Sequence, residues 1–212
     1  MNLIKKHGFG KWIARARRGV AAIEFALTLP IWTTLLLGAG DGSYYMLVSE
    51  RTDRIAYSVT DIVTQYQSIS LSNLNDILLA SGQLMQPFSA TDAFGNPTVV
   101  VIVSSVYQAP GSTPRICWQY TNYTSHGGSP PPQPNSKIGN YVGYGTPPGC
   151  SAGAVATLPN GLTLNDNDNV IISEVFYNYK PLFVYEGLFP ANTIYRTAVY
   201  KPRLSPLIVP PT

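Results

Sequence analysis

The chain has 212 residues, 14 of them Lys or Arg and 11 Asp or Glu, for a formal net charge of +3. That charge is local: Lys5, Lys6, Lys11, Arg15, Arg17 and Arg18 precede Gly19 and no acid does, which leaves 8 basic against 11 acidic side chains from Val20 onward. The composition therefore excludes a cationic nucleic-acid-binding surface beyond the leader, and the length accommodates one anchor plus one moderate domain.

In chain order, residues 1–19 form a basic leader without a useful hydrophobic period. Residues 20–40 form an apolar run interrupted by one acid, Glu24, with Pro30 inside it. About 20 residues at 1.5 Å rise span a hydrocarbon core of about 30 Å, so this segment reads as a transmembrane helix. Proline is tolerated in such helices although it removes one backbone hydrogen bond. By the positive-inside rule the cationic leader holds the N-terminus in the cytoplasm, which puts residues 41–212 across the membrane as the main domain. A secretory signal peptide cut near Gly38-Ala39-Gly40 is a competing reading. The long leader, Pro30, Trp32 and the continuing helical pattern speak against it.

Beyond Asp41 the residues Val48, Thr52, Ile55, Val59, Ile62, Val63 and Tyr66 recur at helical spacing, with Glu50, Arg51, Asp53, Arg54 and Asp61 on other faces. One long helix, apolar first and amphipathic after, is the simplest reading. A second helix is expected from Ser72 to about Gln83, capped by Ser72 and ended by Gly82 and Pro87. The period then changes to two. Residues 98–107 and 115–123 read as strands joined by the turn-rich Ala109-Pro-Gly-Ser-Thr-Pro114, and residues 169–179 and 193–201 as two more. Between them, residues 124–168 form a long Gly/Pro-rich loop of the kind that is usually functional or mobile. Residues 202–212 read as a frayed, Pro-rich tail. The expected fold class is α+β: a long N-terminal helix, a short second helix, and an antiparallel sheet of about four strands packed on the outer half of the first.

Cys117 and Cys150 are the only cysteines. In a non-cytoplasmic domain an isolated pair most often forms a disulfide. Closing a loop of that length stabilises a fold by roughly 3–4 kcal/mol in the chain-entropy account. Two unpaired buried thiols are the alternative. Catalytic constellations are nearly absent: the histidines are His7, in the leader, and His126, in the long loop, with no nucleophile-elbow motif beside either. No His/Cys cluster has metal spacing and no cofactor motif is present. Asn165-Asp166-Asn167-Asp168-Asn169 carries oxygen ligands for Ca²⁺ but lacks the EF-hand's Gly and distal Glu, so a cluster of Asx turns is the better reading. Strand tyrosines such as Tyr107, Tyr120, Tyr177 and Tyr195 read as ordinary pleated-surface packing. The loop residues Tyr141 and Tyr144 stay open between packing and contact with a partner.

One junction is more specific. Arg17-Arg18-Gly19 is followed by Val20-Ala-Ala-Ile-Glu24-Phe25-Ala-Leu-Thr-Leu-Pro30, with an acid five residues after the glycine and an aromatic at the sixth. That arrangement matches a prepilin-peptidase site. The stretch from Arg17 to Pro30 resembles the N-terminal signature of TadE-like proteins, minor pilins or pseudopilins of tight-adherence (Flp) pilus systems. The likeness continues through Arg51-Thr-Asp-Arg54 and returns weakly in residues 172–183 and 196–203. The resemblance implies a pilin-like fold, a structural role in pilus assembly and surface attachment, and no enzymatic activity. It also implies an inner-membrane location, and other pilins, pilus-assembly proteins and a prepilin peptidase as partners. Gly19, Val20, Glu24 and Phe25 would be the processing site. Cutting there frees a charged amine on Val20, and a carboxylate one turn along can neutralise it within the chain or in a neighbouring subunit, which gives Glu24 an assembly role. A plain signal-anchor whose Glu24 snorkels to the interface is the bland alternative. At the level of function, the rival is a membrane-anchored periplasmic binding or adhesive module that uses loop 124–168 for recognition.

Overall fold

A computed structural model describes residues 9–93, 95–123, 134–139, 150, 153–182 and 192–212, with side chains from Val20 onward. The chain divides into two compact units, residues 1–44 with 181–189 and residues 45–180 with 190–212. Helix α1, Phe9–Val63, is 55 residues long and contributes to both. Its start lies well inside the leader, where the sequence offered no periodicity. The Ala, Lys and Arg residues between Lys11 and Arg18 are strong helix formers.

Within the first unit α1 passes through Pro30 without a break. Thr28 donates its hydroxyl to the Phe25 carbonyl (3.1 Å), and Thr33 and Thr34 donate theirs to the Pro30 carbonyl (3.0 and 2.8 Å). These back-bonds satisfy hydroxyls that would otherwise be costly away from water.

In the second unit the helix becomes one-sided. Val48, Thr52, Ile55, Ala56, Val59, Thr60 and Val63 are buried, the i, i+4, i+7 stripe of an amphipathic helix. Ile62, expected in that stripe, is 41% exposed. Helix α2, Leu71–Leu84, buries Leu74, Ile77, Leu78 and Ser81. Its N-cap is Ser70, whose side chain accepts from Asn73 N–H at 3.2 Å, two residues before the expected cap. Both serines suit a cap chemically, and the extended backbone at Ser70 decides between them.

Strands β1 (Val99–Tyr107), β2 (Arg115–Thr121), β3 (Asn169–Tyr179) and β4 (Asn192–Tyr200) form one antiparallel sheet in the order β2-β1-β3-β4. Their β-branched and aromatic content explains the choice of strand. One face carries Val101, Val103, Ser105, Ser173 and Val175 and meets the helices: Ser173 donates to the Ala56 carbonyl at 2.7 Å, and Tyr120 donates to Asn75 of α2 at 2.8 Å. The small side chain of Ala56 allows this close helix–sheet approach.

The second face of the sheet is also covered, which the sequence reading did not anticipate. Ile138, Ala156 and Leu164 pack on Val106, Ile116, Val170 and Ile172. Described parts of loop 124–168 therefore belong to the core. Residues 124–133, 140–149 and 151–152 lie outside the described residues. Gly153 lies so close to β2 that a Cβ there would meet the Ile116 carbonyl at 1.8 Å. The Ile116 N–H donates to Ala154 O (2.9 Å) and Ala156 N–H to Pro114 O (2.9 Å), so this segment caps the β2 edge.

Residues 202–212 are docked, contrary to the expectation of a frayed tail. Leu207 is buried, its carbonyl accepts from Ser105 Oγ (2.7 Å) and Trp118 Nε1 (2.8 Å), and its N–H donates to Asn169 Oδ1 (2.8 Å). A buried indole N–H needs an acceptor, and this tail supplies it. Proline content alone hid that apolar anchor.

Candidate functional site

The processing junction lies within α1, with Gly19 and Val20 both helical. Four residues at 1.5 Å rise put Glu24 about 6 Å along the axis from Val20 and on nearly the same face. Val20, Glu24 and Phe25 are exposed, and among the described residues no hydrogen bond or ion pair reaches the Glu24 carboxylate. From Ile23 to Leu37 every large apolar side chain is exposed as well. The helix is long and apolar enough to cross a membrane, and none of its most apolar window is buried within the chain. A core helix of the same composition would hide that surface. Exposed all round, it calls for an apolar solvent.

The apolar run ends at an acid in an unusual setting. Asp41 is only 8% exposed, and its Oδ1 accepts the Leu182 N–H at 2.9 Å. Nothing in the sequence pairs positions 41 and 182, so this contact was not legible there.

In the second unit, charge ties α1 to β4. Arg196 Nε lies 3.1 Å from Asp53 Oδ2, and its guanidinium also donates to Ser49 Oγ. Asp53 belongs to the block Arg51-Thr-Asp-Arg54, in which Arg54 pairs with Glu50 at 3.4 Å. Arg203 pairs with Asp61.

Glu174 is the site residue the sequence reading missed. It is fully buried on the second face of the sheet and accepts from Ser136 Oγ, the Lys137 N–H (2.8 Å) and Tyr195 Oη (3.0 Å). Lys137 Nζ sits 3.7 Å above the Tyr195 ring. Burial raises the Glu174 pKa above the usual carboxylate value, and the hydrogen bonds from Ser136, Lys137 and Tyr195 oppose that rise. The Tyr195 hydroxyl is pushed up by burial first and then by the Glu174 charge. The available signal was a lone acid in an otherwise apolar, alternating strand.

The remaining sequence candidates are placed as follows. Cys117 and Cys150 form a disulfide across 33 residues. In the segment Asn165–Asn169, Asp168 accepts from Asn165 N–H (3.0 Å) and pairs with Lys201 (2.8 Å), while Asn167 adopts φ 68°. That is a closed turn whose carboxylate is already engaged, and the Lys201 hydrogen bond is the main reason the Asp168 pKa is lowered. Among the described residues no group of three His, Cys, Asp or Glu side chains converges as a metal site. His7, His126, Tyr141 and Tyr144 lie outside the described residues.

The fold and this helix define a class: an α+β domain led by a long helix whose first part is apolar on every side. Residues 19–60, which take in the apolar segment, Glu24 and the Arg51–Arg54 block, match the family model described as TadE-like protein. The match stops short of β3 and β4, where the weaker resemblance was noted. No curated protein and no solved structure matches the chain.

Proposed function

We propose that this chain is a minor pilin or pilus-assembly protein of a Tad (Flp-type) pilus, held in the bacterial inner membrane by α1 with its α+β domain on the periplasmic side. The observation that carries the reading is the family match beginning at Gly19, the residue before the expected cut, at the head of a helix whose apolar surface is open on every side. That match supports association with a Tad pilus. The work is structural: a prepilin peptidase cuts after Gly19, the freed Val20 amine is neutralised by Glu24 of the same or a neighbouring subunit, and the apolar helix then packs among other pilins. An unpaired charge in that setting is costly, so the acid and the new amine belong together.

N-terminal sequencing of membrane-extracted protein, with and without the peptidase of its own pilus system, tests the reading. Processing yields a chain beginning at Val20, and Gly19→Leu leaves it full-length. Recovery of intact chain from cells with the complete machinery would overturn the processing step. Glu24→Gln inserts and folds normally but lowers piliation, whereas a plain anchor leaves attachment unchanged.

A further inference from the structure

We propose that the outer edge of β4 is a strand-addition site, which takes an extended segment of a different chain as a further strand of the sheet. β4 stands last in the sheet order, and the register shows which of its backbone groups point outward. The Asn178 N–H donates to the Thr98 carbonyl at 3.0 Å, so the even-numbered residues of β3 bond to β1 and the odd-numbered ones to β4. Their partners on β4 are Asn192, Ile194, Arg196, Ala198 and Tyr200. The backbone groups of Thr193, Tyr195, Thr197 and Val199 therefore face away from the sheet. Among the described residues, the bond that reaches this row comes from the Arg196 guanidinium to the Tyr195 carbonyl, at 2.9 Å.

The two edges of the sheet differ. β2 is capped by residues 153–156, and its register with β1 shifts between Ser105 and Val106. β4 runs for 9 residues in unbroken register, contains no proline, and has one charge, Arg196, which Asp53 already holds at 3.1 Å. Prolines, bulges and unpaired charges are what ordinarily blunt an edge, and an edge without them is a template for another strand. A row of N–H and C=O groups at ladder spacing is matched by an extended backbone. Beside that row, on the helix face, Tyr57 and Tyr200 are 52% and 40% exposed, with ring centroids 6.4 Å apart. They lie between the Arg196–Asp53 and Arg203–Asp61 pairs. Tyrosine and arginine are the residues that most often anchor interfaces.

A second copy does not suit this edge. Asp53 meets Arg196, Tyr57 meets Tyr200 and Asp61 meets Arg203, so α1 and β4 run in the same sense. Pairing β4 with β4 about a two-fold axis would set two α1 helices end for end. Chains anchored by the same end of α1 in one bilayer do not meet that way, a step that rests on the reading of α1 as a membrane anchor. A segment of a different chain escapes that constraint. Its chemistry is β-branched or aromatic residues at alternate positions and no basic residue opposite Arg196, because like charges directly across a ladder repel.

The test uses the full chain in detergent micelles, with a fluorescent peptide copying Asn192–Tyr200 as the strand probe. Laid antiparallel with Thr197 across from Thr197, the peptide sets Tyr195 against Val199 and Arg196 against Ala198, so no two charges are opposed. Expected is a saturable rise in anisotropy that empty micelles do not give. Thr197→Pro removes an outward N–H and should weaken binding about tenfold, whereas Thr197→Val keeps that N–H and stays within about twofold. Methylating the peptide amides at the Tyr195 and Thr197 positions, which face the protein, should abolish binding, and methylating those at Ile194 and Arg196 should not. That comparison decides the matter even if the proline variant fails to fold. No binding, or binding indifferent to the methyl groups, overturns the site. A full chain that sediments as a dimer, and as a monomer once Thr197→Pro is made, overturns the choice of occupant. A chain that alkaline carbonate strips from membranes overturns the anchor and that choice with it, while the edge itself is judged by the peptide alone.

Discussion

Between Val20 and Leu37 every large apolar side chain of α1 is exposed, whereas from Val48 to Val63 one face of the same helix is closed against a sheet. The two stretches belong to one helix, whose backbone ladder lacks only the N–H of Pro30. What differs is the distribution of charged groups. The second stretch carries Glu50, Arg51, Asp53, Arg54 and Asp61 around its apolar stripe, and the first carries Glu24 alone. Helix propensity builds the rod. Charge placement decides whether a sheet or a bilayer covers it.

Substitutions that affect one stretch and spare the other put that division to the test. Ile55→Ala, at a fully buried position, should cost about 4 kcal/mol in chemical denaturation and leave membrane insertion unchanged. Leu36→Arg should do the reverse, weakening insertion by about 3 kcal/mol while the melting of the domain stays put. If either variant disturbed both readouts equally, the two stretches would not be separable. Gly153→Ala sharpens the account of the domain's far side: the added Cβ forces the β2 edge cap away from Ile116 and should cost about 2 kcal/mol in thermal unfolding.

A smaller effect is shaped by pH. Burial raises the Glu174 pKa in the folded state, so folding is favoured more when that group is protonated. Its contribution is fullest below the ordinary carboxylate range and declines as pH rises through the folded pKa. Glu174→Gln should flatten that part of the stability profile. Smallest of all, Arg54→Ala breaks an exposed i, i+4 pair with Glu50 and should cost about 0.4 kcal/mol in the same denaturation assay.

The elements that the sequence made legible are those with their own period: the apolar run, the amphipathic stripe from Val48, and four strands read to within one or two residues of their ends. The stretch beginning at Gly19, which the family model matches, could be singled out because its information is local. The other interactions depend on distant partners. Glu174 meets Ser136 and Lys137, Asp41 meets Leu182, and Trp118 meets Leu207, each across a separation that periodicity cannot encode. The second cover of the sheet was hidden for the same reason, since Ile138, Ala156 and Leu164 are isolated apolar residues in Gly- and Pro-rich sequence.

The strand order also has a consequence for the order of events during synthesis. β1 holds Val99-Val-Val-Ile-Val103, the most β-prone run in the chain, and it occupies an interior place between β2 and β3. Its partner β2 follows at once, but β3 begins only at Asn169. At a synthesis rate of about 5–20 residues per second, the second edge of that run waits several seconds for its neighbour. An open edge of this composition is what other unfinished chains pair with most readily. Until the third strand has been made, residues 99–103 present that open edge.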